Sequence, residues 1–220
     1  MNVAKNMIIA REMVPAEVQI VAVSKFHPAE MILEAYNTGQ RLFGESRVQE
    51  FLEKVKVLPA DIRWHFIGHL QTNKVKQLIG KTSLIESVDS ERLLSLINKE
   101  SEKAGVVTSV LLQVHVAAEE TKFGFLPDEL REFLSSGSLM DLKSVKICGL
   151  MGMATNTDDE EIIKTDFRRL HDLFEEIRIS YNDVLPDFQH LSMGMSGDWP
   201  LAVEAGANIV RIGSVIFGTR

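Results

Sequence analysis

The group best placed for chemistry in this sequence is a primary amine. Lys25 follows the apolar run Ile20-Val21-Ala22-Val23 and precedes Pro28-Ala29-Glu30, within the stretch IVAVSKFHP. An unbroken run of β-branched and small apolar residues reads as a strand buried on both faces. Pro28, preset for a first helical turn, then opens a helix. Lys25 therefore stands at the carboxyl end of a buried parallel strand, where α/β folds place their chemistry. An apolar wall disfavours its ammonium form, and a neutral amine attacks an aldehyde. A solvated lysine after a strand satisfies the same stretch, so the decision rests on the rest of the chain.

A second group of residues suits an anion. LSMGMSGDW offers the hydroxyls of Ser192 and Ser196, a close backbone approach at Gly194 and the start of a helix, and VRIGS adds Gly213 and Ser214. Loops after the last two strands of a barrel commonly cradle phosphate with backbone N–H groups and hydroxyls. One such loop is equally an ordinary turn with a helix cap; two of them opposite a strand-end lysine say more. Arg211 lies within the apolar strand NIVRIG, where a guanidinium needs a partner, and a structural ion pair would serve. Together the amine, the phosphate loops and the arginine suit pyridoxal phosphate. The lysine would bond its aldehyde, the loops hold its phosphate and the arginine face its pyridine nitrogen.

Alternating elements must position these groups. Residues 1–16 read as a short lead helix broken near Pro15, followed by a strand at about 19–24 and a helix from Pro28 to Asn37. A strand at 41–44 leads to helix 46–57, with Val48, Phe51, Leu52 and Val55 on one face. Strand 62–67, helix 71–79, strand 83–87 and a helix from Asp89 or Ser90 to Ala104 come next. Strand 109–116, helix 127–136 and strand 144–149 lead to a long helix capped by Thr157. Its expected inner face is Ile162, Ile163, Phe167, Leu170, Phe174 and Ile177. Strand 187–191, helix 199–205 and strand 207–212 complete the series. About eight strands, each but perhaps the last followed by a helix, give either a (β/α)₈ barrel or a doubly wound sheet. With no Gly-rich dinucleotide fingerprint after the first strand, the α/β class resolves to one TIM-type barrel spanning 1–220.

Composition narrows the function. Of 220 residues, 45% are hydrophobic and 25% charged, the balance of a soluble globular protein. The net charge of −7 argues against a nucleic-acid binder, which needs a basic surface. No apolar run approaches the roughly 20 residues that span a bilayer, and MNVAKNMIIAREM lacks the pattern of a signal peptide. The single cysteine, Cys148, excludes an internal disulfide and a cysteine zinc cluster and reads as a small core residue. These features point to the cytoplasm. His65 and His69 have the i, i+4 spacing of metal ligands on a helix, but Phe66-Ile67-Gly68 between them reads as strand and turn, so no metal is expected.

AVSKFHP, LFGESRVQE, HFIGHLQTNK, TKFGF, CGLMGMAT, LSMGMSGDW and VRIGSVIFG occur in that order. From about Val21 to Gly218 the chain thereby resembles the pyridoxal phosphate homeostasis proteins, which are similar to the N-terminal barrel of alanine racemase. The resemblance implies a fold-type III pyridoxal phosphate barrel without a C-terminal β domain and with Lys25 as the Schiff-base lysine. It implies Ser192, Gly194, Ser196, Gly213 and Ser214 around the phosphate and Arg211 beside the pyridine nitrogen. Ser46, His65 and Met151 complete the implied cofactor contacts. Ser46 departs from the family's usual asparagine, as His115 often does, so the hydrogen bonds around the ring are expected to differ. His115 also reads as a core histidine with a local hydrogen bond.

Three functions compete at this point. The first is a carrier or buffer of pyridoxal 5'-phosphate that sets cofactor and amino-acid levels and passes the cofactor to dependent apoenzymes, without robust catalysis. The second is an amino-acid racemase. The third is a Schiff-base lyase acting on a sugar phosphate. Two-base racemisation needs an acid/base on the face away from the lysine, which alanine racemase takes from a tyrosine of a further β domain. Tyr36 and Tyr181 fall in or after helices here, and the chain ends soon after its last strand. An arginine, unlike an acid, also leaves the pyridine nitrogen unprotonated and the ring a weaker electron sink. The carrier is therefore the expectation, and a monomer the more economical state.

Overall fold

In the computed structural model, which describes residues 2–119 and 123–219, each apolar run pairs with the next until the last returns to the first. The strands are β1 (Gln19–Val23), β2 (Leu42–Glu45), β3 (Arg63–Phe66), β4 (Leu84–Val88), β5 (Thr108–Val114), β6 (Val145–Gly152), β7 (His190–Met195) and β8 (Ile209–Ile212). All neighbours are parallel, and β8 pairs with β1 through Val21 opposite Arg211. The fold is the (β/α)₈ barrel expected from the sequence.

Helices cover the outside. They are α1 (Val3–Met13), α2 (Ala29–Asn37), α3 (Val48–Val57), α4 (Val75–Leu78), α5 (Glu91–Ala104), α6 (Pro127–Ser135), α7 (Glu160–Ser180), α8 (Trp199–Glu204) and α9 (Ser214–Phe217). Strand alternation sends one set of side chains outward, and Ala22, Phe43, Trp64 and Ile85 pack beneath the helices in the main core. The other set points inward, where Val21, Leu84, Leu111, Cys148, Met151 and Ile209 form a separate apolar plug. Cys148 is thus the small core residue its pattern suggested, and burial pushes its thiol pKa up.

Several boundaries differ from expectation, each for a physical reason. The segment 71–79 is a 3₁₀ turn over Thr72–Lys74 before α4. Asp159, not Thr157, caps α7 by accepting from the Glu161 N–H, while Thr157 accepts from Asp159 N–H one step earlier. Ile162 faces solvent at 42% exposure, and Leu173 joins the buried face instead. In α3, Lys54 is buried together with Phe51. The seventh strand begins at His190 and runs on to Met195, absorbing a segment expected to be a loop. A helix, α9, follows the last strand. No helix among the described residues is long and apolar enough to cross a membrane.

The fifth and sixth strands show a register shift between Val110/Leu112 and Ile147/Leu150, so one extra residue is bulged into β6. Gly149 sits at this irregularity with φ +148° and pairs with His190. A methyl group there would overlap the His190 carbonyl oxygen, which is backbone and has no room to retreat. Gly149→Ala is therefore expected to cost on the order of 3 kcal/mol or more, read as a lower urea midpoint with an unchanged slope. An unaltered midpoint would show that the bulge relaxes freely.

Candidate functional site

β1 ends at Val23, so Lys25 sits on the turn beyond it, half-buried at the carboxyl end of the barrel. Its side chain lines a cavity of about 500 Å³ together with His27, Ile67, Met153, Ser196, Arg211, Gly213 and Ser214. That volume suits a small cofactor. Lys25 comes from the end of β1, Ser196 from the turn after β7, and Arg211, Gly213 and Ser214 from β8 and the start of α9.

Arg211 points into the barrel and is 4% exposed, so its charge has to be answered by protein groups. One terminal nitrogen, Nη2, donates to the Gly152 carbonyl at 2.9 Å, and the other, Nη1, donates to Ser192 Oγ at 2.6 Å. The Ser192 hydroxyl in turn donates to Glu86 Oε2 at 2.5 Å, leaving the guanidinium 3.8 Å from that carboxylate. Glu86 Oε1 faces His65 Nδ1 at 2.6 Å. A carboxylate only accepts, which assigns the proton to His65 Nδ1. Burial works to raise the Glu86 carboxyl, but the hydrogen bond and charge of His65, with Arg211 and Ser192, hold it below its usual range.

In the same cavity lining, Ser196 Oγ accepts from the Gly213 N–H at 3.1 Å. Its own proton is therefore left to donate into the cavity. Ser214 begins α9, whose first N–H groups have no partner within the helix. Hydroxyls and backbone donors thus line the cavity together with the arginine.

The structure separates the residues expected at the site into two sets. Lys25, Ser196, Arg211, Gly213 and Ser214 line the cavity. Ser192 does not: it is fully buried in the barrel, with its hydroxyl spent between Arg211 and Glu86. His65 lies beneath the arginine on Glu86, and Met151 belongs to the apolar plug. Gly194 packs against α8, where a side chain would strike Ala202 and Trp199. Ser46 is half-buried after β2 and outside the cavity lining. His115 makes the local hydrogen bond expected of it, from Nε2 to the Glu119 carbonyl, although it is only half-buried. His65 and His69 engage different carboxylates, Glu86 and Asp89. Thr121 and Lys122 of the TKFGF motif lie outside the described residues.

Comparison with known proteins decides the family. Residues 1–220 match the family model described as "Alanine racemase, N-terminal domain". The pyridoxal phosphate homeostasis protein of Aquifex aeolicus is 45% identical over 203 residues, covering 92% of this chain and 87% of the relative. That of Schizosaccharomyces pombe is 41% identical over 206 residues, covering 92% and 84%. The chain belongs to the pyridoxal phosphate homeostasis protein family. A solved member, PipY of Synechococcus elongatus with pyridoxal phosphate bound, superposes with a TM-score of 0.87 at 36% identity, over 98% of this chain and all of that one. Alanine racemase of Clostridium difficile, at 15% identity and a TM-score of 0.80, covers all of this chain but 60% of its own. That likeness shows the shared barrel.

Membership in this family is written in the strand ends, yet several residues that build the site escaped sequence reasoning. His27 lines the cavity two residues after Lys25 and stacks on Phe217. Glu86 sits in LIESV, and its signal was available: a lone carboxylate at an inward position of an apolar strand needs a buried cation. Because the Glu86 pKa is depressed by folding, its stabilisation is complete above the unfolded carboxyl's pKa and fades as pH falls through the folded value. Glu86→Gln strands the Arg211 charge, and its expected cost at neutral pH is about 3–5 kcal/mol. The gap to the unaltered protein should narrow on acidification below the ordinary carboxylate range. Urea titrations at a series of pH values measure both; a gap independent of pH would refute the charge assignment.

Proposed function

We propose that this protein holds pyridoxal 5'-phosphate covalently but reversibly on Lys25 and serves cofactor homeostasis as a carrier or buffer. The observation that carries this reading is the convergence of one strand-end amine, one sealed arginine and two hydroxyls on a single cavity. The donor set matches the cofactor part by part. Arginine donates and never accepts, which suits an unprotonated ring nitrogen. The free proton of Ser196, the Ser214 hydroxyl and the first N–H groups of α9 suit a phosphate. When bound, the cofactor supplies an aldehyde that exchanges between amines and a ring that draws electrons.

The residues of this chain favour holding over turnover. Arg211 has donors committed to Ser192 and Gly152, so its orientation is fixed and it delivers no proton to a ring. Racemisation by two bases needs proton carriers on opposite faces. The described cavity-lining side chains that could move a proton are Lys25 and His27, both on the turn after β1. On this reading the protein is a binding protein of the cytoplasm whose partners are apoenzymes that take up the cofactor. On the same reading it works as a monomer.

The test is an absorbance spectrum before and after borohydride, with peptide mapping. A yellow band that borohydride bleaches, labelling Lys25, is expected. Lys25→Ala should lose the band while its circular dichroism and melting remain those of a folded barrel. Incubation with L-amino acids should yield no D-enantiomer above the cofactor-only rate. A reducible band that survives Lys25→Ala would overturn the assignment.

A further inference from the structure

Lys25 is followed by Phe26, which adopts φ +69°, the left-handed region, and is the one non-glycine residue found there among the described residues. A side chain is costly in that conformation, and it persists only where its surroundings over-determine it. The surroundings that do so lie on α3. Glu50 Oε1 accepts from the Phe26 N–H at 2.5 Å. Lys54, one turn further along the same helix, donates from Nζ to the Ser24 carbonyl at 2.8 Å, to Glu50 Oε1 at 2.7 Å and to Glu45 Oε1 at 2.7 Å. All three protons of that buried ammonium are thereby used. The Ser24 hydroxyl donates to the same Glu45 oxygen at 2.6 Å. Both peptide groups that flank Lys25 are therefore tied to one i, i+4 ion pair, and the Arg47 guanidinium covers the Phe26 ring 4.5 Å from its centre.

An ion pair formed for stability alone would not need to grip the backbone on either side of Lys25. Glu45 is enclosed at the end of β2, where one oxygen, Oε1, takes both hydrogen bonds and the other, Oε2, has no partner. Burial raises its pKa against the pull of Lys54, so this carboxylate is held at a cost. That arrangement makes sense where geometry, rather than stability, is what the cluster supplies.

We infer that the Glu50–Lys54 pair of α3, braced by Glu45, clamps the Ser24–Phe26 turn and so aims the Lys25 amine for capture of an aldehyde, without taking part in phosphate recognition. Glu50 and Lys54 are positioning residues on this view. The inference rests on the proposed capture of the cofactor by Lys25.

The experiment compares two ligands that share a phosphate and differ in the aldehyde. Pyridoxal 5'-phosphate reports covalent capture through the rate at which the reducible band forms, and 4'-deoxypyridoxine 5'-phosphate reports non-covalent binding by calorimetry. Glu50→Ala should slow capture by about tenfold or more, the scale of a small misplacement of a reacting group. Its affinity for the deoxy analogue should stay within about twofold of the unaltered protein, in line with a change that leaves the anion contacts intact. Glu50→Gln keeps an oxygen to accept from the Phe26 N–H and should recover most of the rate. Equal rates in Glu50→Ala and the unaltered protein, or parallel loss of both ligands, would overturn the clamp. Amide exchange in the unaltered protein needs no variant: the Phe26 N–H should be strongly protected, and exchange at the rate of an open chain would also overturn it. If the unaltered protein itself forms no band, the capture reading fails, while the exchange result still judges the clamp.

Discussion

A guanidinium buried inside a closed barrel must have its charge answered by protein groups, and the rest of the site is arranged around that fact. Arg211 enters from β8, Ser192 from β7, Glu86 from β4 and His65 from β3, so one chain of hydrogen bonds crosses the barrel and ties strands far apart in sequence. Each member is needed by the next. Without Glu86 the arginine is an uncompensated charge, and the donors of His65 and Ser192, with the charge of Arg211, hold the Glu86 carboxyl pKa down against its burial. Ser192 also spaces the pair, since the guanidinium and carboxylate meet through its hydroxyl. The polar chain therefore fixes a floor, and the cavity begins above it.

Strand alternation explains how one barrel end supports both this floor and an anchored lysine. Leu84 precedes Glu86 and Ile209 precedes Arg211, so the apolar plug fills the amino-end half of the barrel interior and the polar chain lies above it. The residues between these inward positions face the helices. Glu45 at the end of β2 and Ser24 just beyond β1 follow that outward set, where α3 meets them with Lys54. The inward side of the strand ends thus carries the binding groups, and the outward side carries the contacts that hold the Lys25 turn. A single two-residue period places both.

Sequence reasoning read the barrel well because eight apolar runs separated by helical patterns leave few other architectures. It expected Lys25, Ser196, Arg211, Gly213 and Ser214 together at one mouth, and they line one cavity, for the same local reason: polar and small residues directly after an apolar strand gather at one face. It misplaced Ser192 because Ser-Met-Gly-Met looks like loop chemistry. Pairing with β6 and β8 holds the segment as strand, and tertiary context overrides propensity. Lys54 was invisible for a different reason. Helical periodicity put Val48, Phe51, Leu52 and Val55 inward, and nothing within the helix says that a lysine beside that face will find Glu45 across the fold. Partnerships between distant segments are set by register, and register is not a local property.

The two nitrogens that face the cavity are held in opposite ways, and that contrast bears on function. Arg211 is sealed, with donors committed on two sides, so whatever lies against it meets a donor that cannot turn away or give up its proton. Lys25 is half-buried on a turn beyond the strand, where the adjoining peptide groups are gripped by α3 and the residue lines the cavity. The proposed reversible hold on a cofactor suits that division: a rigid contact for recognition and a half-buried amine on a turn for exchange. Were the amine set one step earlier, at position 24, it would enter the layer beneath the helices that Ala22 occupies. Were it further along, it would fall on α2. The place where β1 stops is therefore as consequential as the identity of the residue that follows it.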